Sequence, residues 1–238
     1  MILEMSFLEK QARAQEKRDA ILDFLGSGEC YTSLHISSRV MSCSVRAARD
    51  TLDALIRDGA LKSETVLVQS RRLKLYGITP HGLALANEFD SQYFEVGRTN
   101  PSYVPHHLET QAARLDAEAA GWTNWQPGKN LYKTGLLKVP DALCVTPDDR
   151  KVAIEIERHI KTRKRYEEIL SLHLQEMSKK SWSEVHYLAK PELIRPLQNI
   201  FRRIEAIPVK GERVVLEEKH RDRFRFFSMA EWPPIPKD

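Results

Sequence analysis

Between Val139 and Ile160 the chain reads VPDALCVTPDDRKVAIEIERHI, and no other stretch limits the possible folds as tightly. VPDALCV and KVAIEIE have the length and β-branched content of strands, and TPDDR between them carries turn residues. Side chains alternate along a strand, so Glu155 and Glu157 take one face while Ile154 and Ile156 take the other. Paired as a hairpin, the two runs bring Asp141 within a few ångströms of both glutamates. Three converging acids repel one another and gain nothing from apolar burial. A hard divalent cation relieves that cost, and an all-oxygen ligand set favours Mg²⁺ or Mn²⁺.

The flanks extend this core into an α/β (mixed) domain. HHLETQAARLDAEAAGW is an amphipathic helix with Leu108, Ala112, Leu115 and Ala119 on one face and Gly121 at its end. RHIKTRKRYEEILSLH is a basic helix. VHYLAK is a strand, the next helix is expected to break early at Pro196, and RVVLEEK and RFRFFSM are strand-like. Helices between the strands of one sheet give an α/β layer structure. The tail EWPPIPKD is expected to be loose. His106, His107 and His159 are expected at the surface or on phosphates, and Tyr166 is expected to pack.

The first ninety residues have a different rhythm. EKRDAILDFL places Ile21, Leu22, Phe24 and Leu25 on one helix side, with Gly26 ending it. YTSLHISSRV gives a second short helix. Ser42 or Ser44 caps a third, whose Val45, Ala48, Leu52, Leu55 and Ile56 recur at helical spacing before Asp58-Gly59 closes it. Then LKSETVLVQ and LKLYGI are strand-like around a polar SRR turn, and Thr79-Pro80 opens a further helix. Three helices followed by a hairpin with a basic tip make a winged helix-turn-helix. The domains expected are 1–90, a linker over 91–106 containing SQYFEVGRTNPSYVPH, and 107–238.

Charge is unevenly spread. Residues 1–90 hold 12 basic and 12 acidic groups, residues 91–157 hold 7 and 9, and residues 158–225 hold 17 and 10. An acidic centre followed by a basic face suits a phosphodiester substrate. Cys30, Cys43 and Cys144 are too few and scattered for a disulfide framework or a zinc site, so reduced thiols and a cytoplasmic setting are expected. No apolar run is long enough for a membrane span or a signal peptide.

The order of parts over residues 14–90 resembles the winged-helix family, carried by LDALIRDGAL and YGITPHGLALA. That resemblance implies that Ser44, Arg46 and Arg49 face the major groove of double-stranded DNA and that Arg71 and Arg72 reach phosphates. Winged helices also serve as protein-protein or dimerisation modules, and Arg49 can instead pair with Asp53.

Pro140-Asp141 and Glu155-Ile156-Glu157 resemble the motif of the PD-(D/E)xK nuclease superfamily, with its restriction-endonuclease-like fold. The resemblance implies that Asp141 and Glu155 hold a metal that activates water. Glu157 stands where that motif has lysine; its role is to complete the site or orient the water. Lys164 is the preferred source of the missing cation, with Lys161 as the alternative, and Glu109 is a further candidate carboxylate. Arg163 and Arg165 flank Lys164 and would hold the DNA backbone.

The combination of winged helix and nuclease core is similar to the replication-relaxation group, and within it to MobC-type plasmid mobilisation relaxases. The implied function is site-specific, metal-dependent DNA nicking at a plasmid transfer origin during conjugative mobilisation, with mobilisation or coupling proteins as partners. A non-enzymatic DNA-binding regulator and a restriction or repair endonuclease are the alternatives.

Overall fold

The computed structural model describes residues 6–234. The chain divides between Ala112 and Ala113 into two compact units, each mixing helices with strands, so the protein is mixed α/β.

In the first unit, α1 (Phe7–Phe24) runs into a wider turn over Leu25–Glu29, followed by β1 (Tyr31–Ser33), α2 (Leu34–Val40) and α3 (Val45–Arg57). β2 (Leu61–Val68), β3 (Arg71–Ile78) and α4 (Pro80–Leu85) complete it. Local chemistry sets these boundaries. Ser6, Ser33, Ser44 and Thr79 each turn a side-chain oxygen onto a backbone N–H of the helix that follows, satisfying an otherwise orphaned donor. Ser44 is therefore the cap of α3, whereas Ser42 sits in the preceding turn with φ of 46°. The antiparallel sheet has the order β1-β3-β2. The β2–β3 turn consists of Gln69 and Ser70, with φ of 48° and 65°. Two successive left-handed residues match the twist of the strands they join. Arg71 and Arg72 thus begin β3 instead of lying in the turn.

Of residues 91–106, expected as a linker, Phe94 anchors the first part against this unit and 104–106 open the next helix. Phe94 is buried, its N–H donates to Ile78 O at 2.8 Å, and its ring lies so close to Gly77 that a Cβ there would stand 2.0 Å from Phe94 Cγ. The division instead falls within α5 (Val104–Ala119). That helix buries Val104, Thr110, Gln111, Ala113 and Ala117, and leaves the expected stripe of Leu108, Ala112 and Leu115 half-buried and Ala119 exposed. The reason is polar. Gln111 donates to Tyr31 O at 2.7 Å and accepts from Thr32 Oγ1 at 2.7 Å, so a hydrogen-bonded glutamine joins the buried face.

The second unit contains β4 (Thr123–Pro127), α6 (Gly128–Leu131), β5 (Ala142–Val145), β6 (Lys151–Glu157), α7 (Arg163–Ser178), β7 (Glu184–Ala189) and α8 (Pro191–Arg202). A hairpin of β8 (Ala206–Val209) and β9 (Glu212–Val215), then α9 (Glu218–Arg221) and β10 (Phe224–Ser228), follow. The main sheet has the order β10-β7-β6-β5-β4. β4, β5 and β6 are antiparallel in succession, while β6, β7 and β10 run parallel. Strict alternation along β6 divides two cores. Val152, Ile154 and Ile156 pack with Ala113, Ala117 and Trp122. On the opposite face Ala153 packs with Tyr187 and with Tyr166, Ile169 and Leu170 of α7.

α8 continues through Pro196. Pro196 lies on the exposed side, where the missing N–H is least costly, and buried Leu197 and Phe201 hold the helix across it. In the tail, Trp232 is buried and donates from Nε1 to His186 Nδ1 at 3.0 Å. Residues 235–238 lie outside the described residues.

Candidate active site at the end of the second sheet

β5 and β6 form the expected hairpin, with Ala142 opposite Ile154 and Asp141 N–H donating to Ile154 O at 3.0 Å. Continuing that register by one residue sets Asp141 beside Glu155, and direct cross-strand neighbours share a face. Glu157 follows on the same face by alternation. Parallel pairing with β7 puts Tyr187 beside Glu155. Its phenol lies within electrostatic range of all three carboxylates. The acids therefore gather at one end of the sheet, on the side covered by α7.

Each acid is held differently. Asp141 Oδ2 accepts from Ile156 N–H at 2.7 Å. Glu155 Oε1 takes Lys138 Nζ at 2.5 Å and stands 3.2 Å from His173 Nε2. Both Glu157 oxygens take Lys161 Nζ, at 2.5 and 2.6 Å, and Oε2 also accepts from Tyr166 Oη at 3.0 Å. Burial opposes the charge on Glu155, yet Lys138 and His173 outweigh it and hold the carboxyl down to about 2. Burial keeps the His173 imidazole below its ordinary value, against the pull of Glu155. Burial pushes the Tyr187 phenol well above its ordinary value, and the neighbouring carboxylates push it further.

Two groups here are unfinished. Tyr187 Oη and both ring nitrogens of His173 are buried without a hydrogen-bond partner among the described residues. His173 Nε2 nonetheless stands 3.2 Å from Glu155 Oε1, the contact through which it lowers that carboxyl. Buried polar groups are almost always satisfied, so a phenol buried without a partner near these carboxylates marks this end of the sheet as polar ground inside the core.

Among the described residues no three His, Cys, Asp or Glu side chains converge as a metal-holding group. Lys161 and Tyr166 hold Glu157, and Lys138 holds one oxygen of Glu155. A Mg²⁺ ion, however, keeps several waters and takes only one or two protein carboxylates. Asp141 and Glu155 are neighbours in register at this end of the sheet.

The structure thus brings together Asp141, Glu155, Glu157 and Lys161. Lys164 lies exposed in the first turn of α7, and no ion pair joins it to these acids among the described residues. Arg163 and Arg165 pair with Glu167 and Glu168 of their own helix, at 3.1 and 2.9 Å. Tyr166 is wholly buried and packs on Phe201. His107 Nε2 stands 3.0 Å from Tyr31 O, a structural contact, and His159 is exposed. In the first unit Ser44, Arg46, Arg49, Arg71 and Arg72 are all exposed, and Asp53 lies 3.7 Å from Lys74 instead of holding Arg49.

Lys138, His173 and Tyr187 were not singled out by sequence. A faint signal existed for His173, which falls on the apolar stripe of α7 with Tyr166, Ile169, Leu170 and Met177. A polar residue there has to be satisfied by something across the interface. Neither a known protein-family model nor a curated protein matches the chain.

The histidines have a consequence for stability. Burial lowers the pKa of His173 and of His186 from the ordinary 6.5. Below 6.5 the unfolded chain takes up protons that the native chain resists, so stability present above 6.5 is lost as pH falls toward the native values. Calorimetry from pH 8 to pH 5 should show the melting temperature dropping once pH passes below about 6.5. A flat profile across that range would contradict the burial argument.

Proposed function

We propose that the protein is a metal-dependent, site-specific DNA endonuclease that nicks one strand, with the first unit reading the duplex and the second cutting it. The observation that carries this reading is the gathering of Asp141, Glu155 and Glu157 around the unpartnered phenol of Tyr187, with two lysines against them. The order helix, strand after Pro-Asp, strand with Glu-Ile-Glu, basic helix supports the resemblance to the PD-(D/E)xK nucleases.

In this reading Asp141 and Glu155 hold Mg²⁺ or Mn²⁺. When bound, the ion supplies Lewis-acid stabilisation and an activated water. Ile156 N–H fixes the Asp141 carboxylate, so its second oxygen keeps one direction. Glu157, clamped by Lys161 and Tyr166, orients the nucleophile. Lys138, partly buried on a short tether before Asp141, stabilises charge on the scissile phosphate. It thereby takes the role that the sequence assigns to Lys164. Lys164, Arg163 and Arg165, at the first turn of α7, track the backbone.

The first unit supports a winged-helix reading: α3 presents Arg46 and Arg49, and the tight β2–β3 hairpin presents Arg71 and Arg72. The resemblance to MobC-type relaxases gives the substrate as a transfer-origin duplex. Conversion of supercoiled plasmid to open circles with Mg²⁺ or Mn²⁺, and its suppression by EDTA, tests the activity. Replacing both Arg46 and Arg49 by alanine should weaken duplex binding and reduce the slope of log affinity against log salt by about 2. An unchanged slope in a fluorescence titration would remove these arginines from the interface.

One observation favours the non-enzymatic alternative, a DNA-binding regulator. Glu155 and Glu157 already have lysine partners, so their charge is partly neutralised without an ion. Duplex binding with no nicking under either metal decides for it.

A further inference from the structure

A second feature of this unit lies away from the carboxylates. A groove of about 1010 Å³ runs between α7 and the β8–β9 hairpin, at the end of the sheet where β6 begins. Lys151 opens β6 and Glu157 closes it, so at about 3.3 Å per residue the groove and the carboxylates stand about 20 Å apart. A molecule in the groove leaves the acidic site open.

The lining has two parts. Leu174, Met177, Trp182, Ile207 and Leu216 make an apolar floor, and Val214 and Val215 extend it along the exposed strand β9. Around it stand Lys151, Lys180 and Arg223, exposed and without a carboxylate partner among the described residues, with Asp149 as the one acid in the lining. Trp182 is 2% exposed, and its Nε1–H has no acceptor among the described residues. Unpaired cations around a floor of aliphatic side chains call for a ligand with anionic flanks and apolar anchors. A nucleic-acid backbone matches the rim but not the floor, where Trp182 is largely buried and His220 is the other ring in the lining.

We propose that this groove docks an acidic segment of a partner protein. Its apolar side chains seat on Leu174, Met177 and Leu216, its carboxylates meet Lys151, Lys180 and Arg223, and one acceptor reaches Trp182 Nε1. The proposal is independent of the cleavage reading.

Fluorescence anisotropy on the full chain tests it, with a fluorescein-labelled peptide of alternating glutamate and leucine, a glutamate–serine peptide of equal charge, and a single-stranded oligothymidylate. The glutamate–leucine peptide should bind at low salt. Lys180→Glu with Arg223→Glu should weaken it about tenfold or more, whereas Lys10→Glu with Lys133→Glu, an equal charge change elsewhere, should not. Absence of binding overturns the proposal, as does equal binding of the glutamate–serine peptide or an equal loss in both double variants. Preferential capture of the oligothymidylate, lost on the Lys180 and Arg223 changes, overturns it in favour of a nucleic-acid groove.

Discussion

Asp141→Asn should abolish metal-dependent nicking of supercoiled plasmid, with a loss on the order of 10²–10³-fold or more, and leave duplex affinity unchanged. The substitution is informative because of how the side chain is held. Asp141 Oδ2 accepts from Ile156 N–H at 2.7 Å, and an asparagine amide oxygen can do the same. The strand ends therefore stay in place while the charge is removed. Asp141→Ala strips the charge as well but leaves the Ile156 N–H without its acceptor, so a modest destabilisation accompanies the same loss of cleavage. Surviving cleavage in Asp141→Asn would place the chemistry elsewhere.

Gly128→Ala should cost both stability and cleavage. A Cβ at Gly128 would stand 2.3 Å from Pro140 O and 3.1 Å from Asp141 O. Gly128 N–H already donates to Asp141 O at 2.7 Å, so the two backbones are tied and neither can retreat without breaking that bond. Crowding of this kind costs about 1–3 kcal/mol. The strain falls on the residue that carries the first carboxylate, and a displacement near 1 Å in a reacting group reduces rates by about 10²-fold. Denaturant titration and the plasmid assay measure the two effects. Wild-type values in both would mean that β5 is not braced by this contact.

Much of the second unit was legible because its strands obey simple alternation. KVAIEIE appears as β6 over the expected residues, and its two faces divide the cores as the pattern requires. The cap Thr79 and the closing Asp58-Gly59 were readable, and the cap of α3 was narrowed to Ser42 or Ser44, since a cap is a contact within three or four residues. The buried face of α5 was not readable. It depends on Gln111 reaching Tyr31 and Thr32 some eighty positions earlier, and hydrophobicity alone cannot weigh such a bond. Phe94 was hidden likewise, because a lone aromatic in a glycine- and proline-bearing stretch gives no period to read.

In the candidate site the sequence by itself determined which acids share a face, because alternation along β6 and one hairpin suffice to align Asp141, Glu155 and Glu157. Lys161 meets Glu157 from four residues away, within reach of local spacing. Lys138, His173 and Tyr187 arrive from a loop, a helix and a parallel strand, positions set by packing of α7 and β7 over the sheet and not by local spacing. Ion pairing weakens with distance, so a carboxylate partner that lies far along the chain is fixed by the fold that delivers it, and the order of residues carries at most a faint trace of it.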